Sequence, residues 1–187
     1  GGHPTGAARI DETAAAIVEA MRRRAIRPRP PLASWADIPQ RVRTPDQVLD
    51  DRAGTSLDTV LTLAAALEHA GIRPLLWIAA DGATCPGHAF LGYWRVERCA
   101  ESAATTEVSG LAELVEQGAI ALVETTMLGI AAEPATFGDL HRTAAAAWLA
   151  GDLHRVLGVT DVHRARLDGV DPLPLPGLPD RSPTGSP

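Results

Sequence analysis

Cysteine is scarce: Cys85 and Cys99 are the two in 187 residues. They permit one disulfide and exclude a disulfide-stapled scaffold. Lysine is absent, so arginine alone opposes 23 acidic residues, and the net charge is −6. Such a chain lacks the basic face of a general nucleic-acid binder. With alanine, glycine and proline so frequent, the arginine usage points to a GC-rich genome. No apolar run reaches the roughly 18–20 residues that carry a helix across a bilayer. Residues 1–9 lack the charged-then-apolar pattern of a secretory leader. The expectation is a cytoplasmic protein with no membrane and no direct nucleic-acid partner. An initiating methionine is also lacking, which suggests a piece of a longer protein, and Gly1-Gly2 reads as a cloning remnant. No internal repeat occurs.

What is present suits one compact domain: 187 residues with 45% apolar content can bury a sizeable core. The reading divides the chain into a disordered lead-in over 1–9, a domain over 10–171 and a Pro-rich disordered tail over 172–187. Apolar residues at helical spacing predict a helix over 11–26, with Arg22, Arg23 and Arg24 as its solvated end. The prolines of 27–31 force an extended connector that Trp35 and Ile38 could anchor. Thr44 and Pro45 predict the cap and first turn of a short helix over 45–51. After a turn at 52–55, residues 56–70 read as a helix so apolar that it must be buried, ended by Gly71. Strands are expected over 74–80, 88–96, 119–124 and 159–165, with helices over 111–117 and 139–149. Helices first and then a run of strands is an α+β order.

Three local features, in chain order, carry chemistry. Gly54-Thr55-Ser56-Leu57-Asp58 delivers a hydroxyl to the N-terminus of the buried helix. That end offers free N–H groups and partial positive charge, which stabilise a thiolate or an oxyanion. Gly87-His88 places an imidazole at the start of a strand, where it can act as general base. Glu124 closes an apolar strand, where a carboxylate can orient that imidazole. Read singly, Ser56 is an N-cap, His88 a structural histidine and Glu124 a solvated strand end; it is their order that points to a triad.

The stretches 40–45, 54–58, 67–74 and 87–94 resemble a bacterial transglutaminase-like domain, a papain-type cysteine peptidase relative found in large helicase-linked or conflict-system proteins. The likeness continues through Glu124-Thr125-Thr126-Met127, residues 161–166 and 172–174, over most of the chain and in order. The resemblance implies a papain-like α+β fold, with N-terminal helices and a buried nucleophile helix packed on an antiparallel sheet. It also implies a Cys-His-acid triad, with the nucleophile position on Ser56, the histidine on His88 and the acid on Glu124. A cysteine belongs where Ser56 stands, and a hydroxyl is far harder to ionise than a thiol near 8.5. The serine is either an engineered inactivation or the mark of a natural pseudoenzyme.

The activity so implied is acyl transfer on a protein or peptide amide or isopeptide bond, without metal or other cofactor. Gln40 is a candidate oxyanion donor, as papain-like enzymes use an upstream glutamine. Cys85, three residues before His88, is a weaker nucleophile candidate because it sits in a loop and not at a helix end. Cys99 reads as packing or incidental, and Cys85, His88 and Cys99 have no recognised zinc spacing. Asp58 is expected to stabilise the helix start, and Trp77 and Trp94 to be core or cleft-wall aromatics, with Tyr93 on the opposite face. The rival from another class is a non-catalytic module whose cleft holds a peptide or partner domain. A true serine hydrolase lacks support, because no Gly-x-Ser-x-Gly elbow is present.

Overall fold

The computed structural model describes residues 6–29, 42–80, 86–128, 135–151 and 153–172. Gln40, Cys85, Trp35, Ile38 and the tail from 173 onward lie outside the described residues. The architecture is α+β. Three helices come first: α1 (Gly6–Arg23), α2 (Pro45–Asp51) and α3 (Ser56–His69). Two-residue strands β1 (Arg27–Pro28) and β2 (Ala53–Gly54) pair in parallel beside them. The main sheet contains β3 (Pro74–Ala80), β4 (Pro86–Trp94), β5 (Ala104–Thr105), β6 (Ile120–Val123) and β7 (Val156–Asp161). It is antiparallel in the order β5-β7-β3-β4-β6. Helices α4 (Ser109–Glu116), α5 (Phe137–Ala144) and α6 (Val162–Leu167) complete it.

Strand alternation sorts the central side chains onto two faces. Ala89, Leu91 and Tyr93 join Val60, Leu63, Leu67, Val18 and Met21 in a core between the sheet and α1–α3. Leu75, Trp77, Phe90 and Trp94 face the other way, against Leu111 and Val115 of α4. The sheet is therefore buried on both faces, which is why β3 reads as an apolar run and not as an alternating one. Trp77, Trp94 and Tyr93 are fully buried core residues, with Tyr93 on the opposite face from the tryptophans. At Gly92 the sheet closes onto Trp77: a Cβ there would stand 2.6 Å from the indole Nε1. Gly92→Ala is accordingly expected to cost about 1–3 kcal/mol by overpacking, measured by denaturant unfolding.

Several boundaries differ from expectation. Helix α1 begins at Gly6, so residues 6–9 are helical and not lead-in. Arg27–Pro28 is a strand, because Arg27 and Arg29 donate their N–H groups to the Arg52 and Gly54 carbonyls. Those bonds join residues far apart in the chain and have no local signal. The helix expected over 139–149 is α5 followed by a π-turn, Ala145–Leu149. The last strand ends at Asp161, and 162–167 is helical. Asp161 causes the switch: its buried carboxylate caps α6 by accepting the Arg164 N–H and also accepts Trp94 Nε1–H and the Ala100 N–H. Among the described residues, no helix is long and apolar enough to cross a membrane.

Candidate active site

Ser56 is not the cap of its helix. Thr55 is: its hydroxyl accepts the Asp58 N–H, and Asp58 Oδ2 accepts the Thr55 N–H in return. This capping box leaves Ser56 as the first helical residue, half-buried, with its hydroxyl free of capping duty. The Thr55 hydroxyl takes one of the helix's unpaired donors, Asp58 N–H, while its carbonyl accepts the first intrahelical bond, from Thr59 N–H. The N–H groups of Ser56 and Leu57 then have no hydrogen-bond partner among the described residues. Asp58 also ties this turn to the preceding chain, accepting Arg43 N–H at 2.9 Å and Arg43 Nη1 at 3.2 Å. It acts on the helix start, as the sequence reading has it.

His88 comes to the same place from the sheet. In the β3–β4 register Ala79 pairs with His88 and Ala80 with Pro86, so Gly87 is a bulged residue next to the histidine. Bulges re-aim neighbouring side chains and cluster beside functional sites. His88 Nε2 lies 3.1 and 3.2 Å from the two Glu124 carboxylate oxygens. An ionised carboxylate only accepts, so Nε2 donates, and in the neutral ring Nδ1 is the base. Among the described residues Nδ1 carries no hydrogen bond.

Glu124 follows β6 directly and is 4% exposed. Thr126 donates to Oε1 twice, by its N–H at 3.1 Å and its hydroxyl at 2.9 Å. Burial opposes the charge, but the His88 hydrogen bond and charge and the two Thr126 bonds outweigh it and hold the carboxyl below the usual range. Because the folded value is the lower one, this stabilisation is fully present above the ordinary carboxylate value and lost as pH falls through the folded one. Glu124→Gln is expected to remove that share of acid destabilisation, giving a flatter stability curve below about pH 4.5.

Ser56, His88 and Thr126 line one cleft of about 230 Å³. Ile26 and Leu128 give it apolar walls, and Arg29 also lines it. Ser56 and His88 share this space without a direct hydrogen bond, a common state for a ligand-free nucleophile and base. The structure thus brings two of the expected residues into one cleft and sets Glu124 behind His88, while Gln40 lies outside the described residues. Cys99 is a free thiol, half-buried, and does not line this cleft. No group of three or more metal-ligating side chains occurs among the described residues.

Sequence reasoning missed Trp148. Its ring stacks on His88, with centroids 4.8 Å apart and planes 15° from parallel, and its Nε1–H donates to Glu124 Oε2 at 3.2 Å. The Arg155 guanidinium lies 4.7 Å from the Trp148 ring centroid. Trp148 therefore contacts both members of the histidine–carboxylate pair, and the charge of Arg155 adds a cation–π contact. The available signal was one large aromatic directly after the alanine run 144–147; the π-turn that aims it has none. Compared with protein-family models, curated proteins and solved structures, the chain has no significant match to any of them.

Proposed function

We propose that this chain is a transglutaminase-like, papain-type thiol-hydrolase domain whose nucleophile position holds Ser56. The observation that carries the reading is the His88–Glu124 pair, joined at 3.1 Å, whose histidine shares a cleft with Ser56, the first residue of the buried helix α3. In the cysteine form the chemistry is acyl transfer. His88 Nδ1 takes the proton of the residue-56 thiol, and Glu124 fixes the tautomer and stabilises the imidazolium. The thiolate sulfur bonds to an amide carbonyl carbon, and the N–H groups at the start of α3 receive the oxyanion. The C–N bond then breaks, and the leaving amine takes the proton from His88. Water releases the acyl group as an acid; an amine in its place makes the reaction a transglutamination.

With serine at the position, the site retains its shape and loses its thiolate, so turnover is expected to be negligible. The substrate class is a protein or peptide amide, and the setting a larger multidomain bacterial protein of the conflict-system kind. One observation favours a second reading, a non-catalytic module that binds a peptide: the cleft is intact around a residue that cannot form the thiolate. The test is Ser56→Cys, read by alkylation of residue 56 with iodoacetamide with and without His88→Ala. Alkylation at acid pH that depends on His88 supports the enzyme reading; equal rates favour the binding module.

A further inference from the structure

Strand β6 is an outer strand of the sheet, so its outward N–H groups need partners that no further strand among the described residues supplies. Leu122 donates its N–H to His141 Nδ1 at 3.0 Å, and just beyond the strand Glu124 donates its N–H to the Leu140 carbonyl at 3.3 Å. The first bond requires a neutral imidazole, because a ring nitrogen accepts only while unprotonated. His141 and Leu140 belong to α5, which runs directly into the π-turn carrying Trp148. The segment is therefore fastened at two levels: to the β6 backbone through α5, and to His88 and Glu124 through Trp148.

We propose that His141 is a positioning residue: neutral, it docks α5 on β6 and so places Trp148 over the His88–Glu124 pair, and proton uptake at Nδ1 releases that placement. The docking stands on its own geometry, while its consequence for turnover rests on the acyl-transfer reading. A protonated Nδ1 sets one N–H against another and leaves the Leu122 donor unpaired.

The groups facing the ring come from three elements. Asp11 of α1 and the β4 side contribute a linked set: Arg95 clamps Asp11 at 2.6 Å, and Tyr93 donates to Asp11 at 2.9 Å. Burial and Asp11 push the Tyr93 phenol up, so it stays protonated. On α5 itself stands Arg142, paired with Asp139. Strand β6 presents only apolar side chains there, Ile120, Ala121 and Leu122. Burial first, then the charge of Arg95, lower His141 below the ordinary imidazole value, with Asp11 opposing and Arg142 adding. The folded value lies below the unfolded one, so the docking is complete above about pH 6.5 and lost as pH falls through the lower folded value.

The experiment uses the full chain with Ser56 intact and ¹⁵N labelling. The Trp148 indole N–H resonance and Leu122 amide exchange are followed from about pH 7.5 to 4.5. Both are expected to share one step. His141→Asn, whose Oδ1 takes the place of Nδ1 without titrating, abolishes the step and keeps the indole at its neutral-pH position. His141→Leu, which has no acceptor, holds the indole at its acid position at every pH and speeds Leu122 exchange by roughly tenfold. A step that survives in His141→Asn does not come from His141 and overturns the proposal, as does an indole unmoved in His141→Leu. Because these readouts need no nucleophile, failure of the Ser56→Cys test leaves them intact and is told apart from failure here.

Discussion

In a Ser56→Cys chain, adding His88→Ala is expected to slow iodoacetamide alkylation of residue 56 by roughly 30-fold at about pH 5. Two effects of opposite sign set that figure. An imidazolium partner lowers a thiol from about 8.5 to about 4, which raises the thiolate fraction at pH 5 some 3,000-fold. The same lowering makes the thiolate a poorer nucleophile, by roughly 100-fold for a Brønsted slope near 0.45. The ionised fraction wins at acid pH; the advantage is gone by about pH 6.5, where roughly 1% of an isolated thiol is ionised, and above that the isolated thiol reacts faster. The signature is therefore a rate ratio that falls with rising pH and inverts above about pH 6.5, scored by mass on the residue-56 peptide so that Cys85 and Cys99 do not contribute. Parallel pH profiles for the two chains would remove His88 from the site.

Asp58→Ala is expected to produce the largest loss of stability, about 3–5 kcal/mol, with a fall in Tm of roughly 10 °C or more. Asp58 is 1% exposed and accepts three hydrogen bonds, from Thr55 N–H, Arg43 N–H and Arg43 Nη1. Truncation leaves two backbone donors and a guanidinium without their acceptor, in a place that water reaches poorly. The effect belongs to the helix start and not to chemistry. The His88 dependence of alkylation in the Ser56→Cys chain should therefore survive Asp58→Ala below its unfolding transition. Urea unfolding measures the first part, and a loss below about 1 kcal/mol would mean that the buried carboxylate is replaced by solvent at little cost.

The two results address different layers of the same turn. Thr55 and Asp58 hold the start of α3 by satisfying each other, and this releases Ser56 from the capping role that its position suggests. The cap at Thr44 was readable because it is local; Thr44 with Gln47 at α2, like Thr136 with Asp139 at α5, forms the same reciprocal pattern. The C-terminus of α3 was readable for the same reason. Gly71, at φ +77°, takes the left-handed conformation that ends the helix, and Ile72 N–H returns to the Leu67 carbonyl.

Elements set by long-range bonding were not readable. The strand pair β1–β2 joins residues about 26 apart, and the strand-to-helix switch at Asp161 depends on Trp94 and Ala100. Propensity carries no information about partners so distant in the chain. Trp148 was missed for the same reason, since nothing near it in sequence marks the imidazole and carboxylate that it covers.

By itself, the order of residues determined an α+β chain with a buried helix opening at Ser56, two central strands at 74–80 and near 88–94, an imidazole at the start of the second, and a carboxylate at the end of a further strand near 120–123. Periodicity and caps encode these directly, because each depends on neighbours within a turn or two. Tertiary structure alone decided that His88 meets Glu124 with Nε2, that both contact Trp148, and that His88 opens on the cleft of Ser56. Sheet register, a bulge at Gly87 and the docking of α5 on an outer strand set those distances, and each arises only when segments remote in the chain pack together.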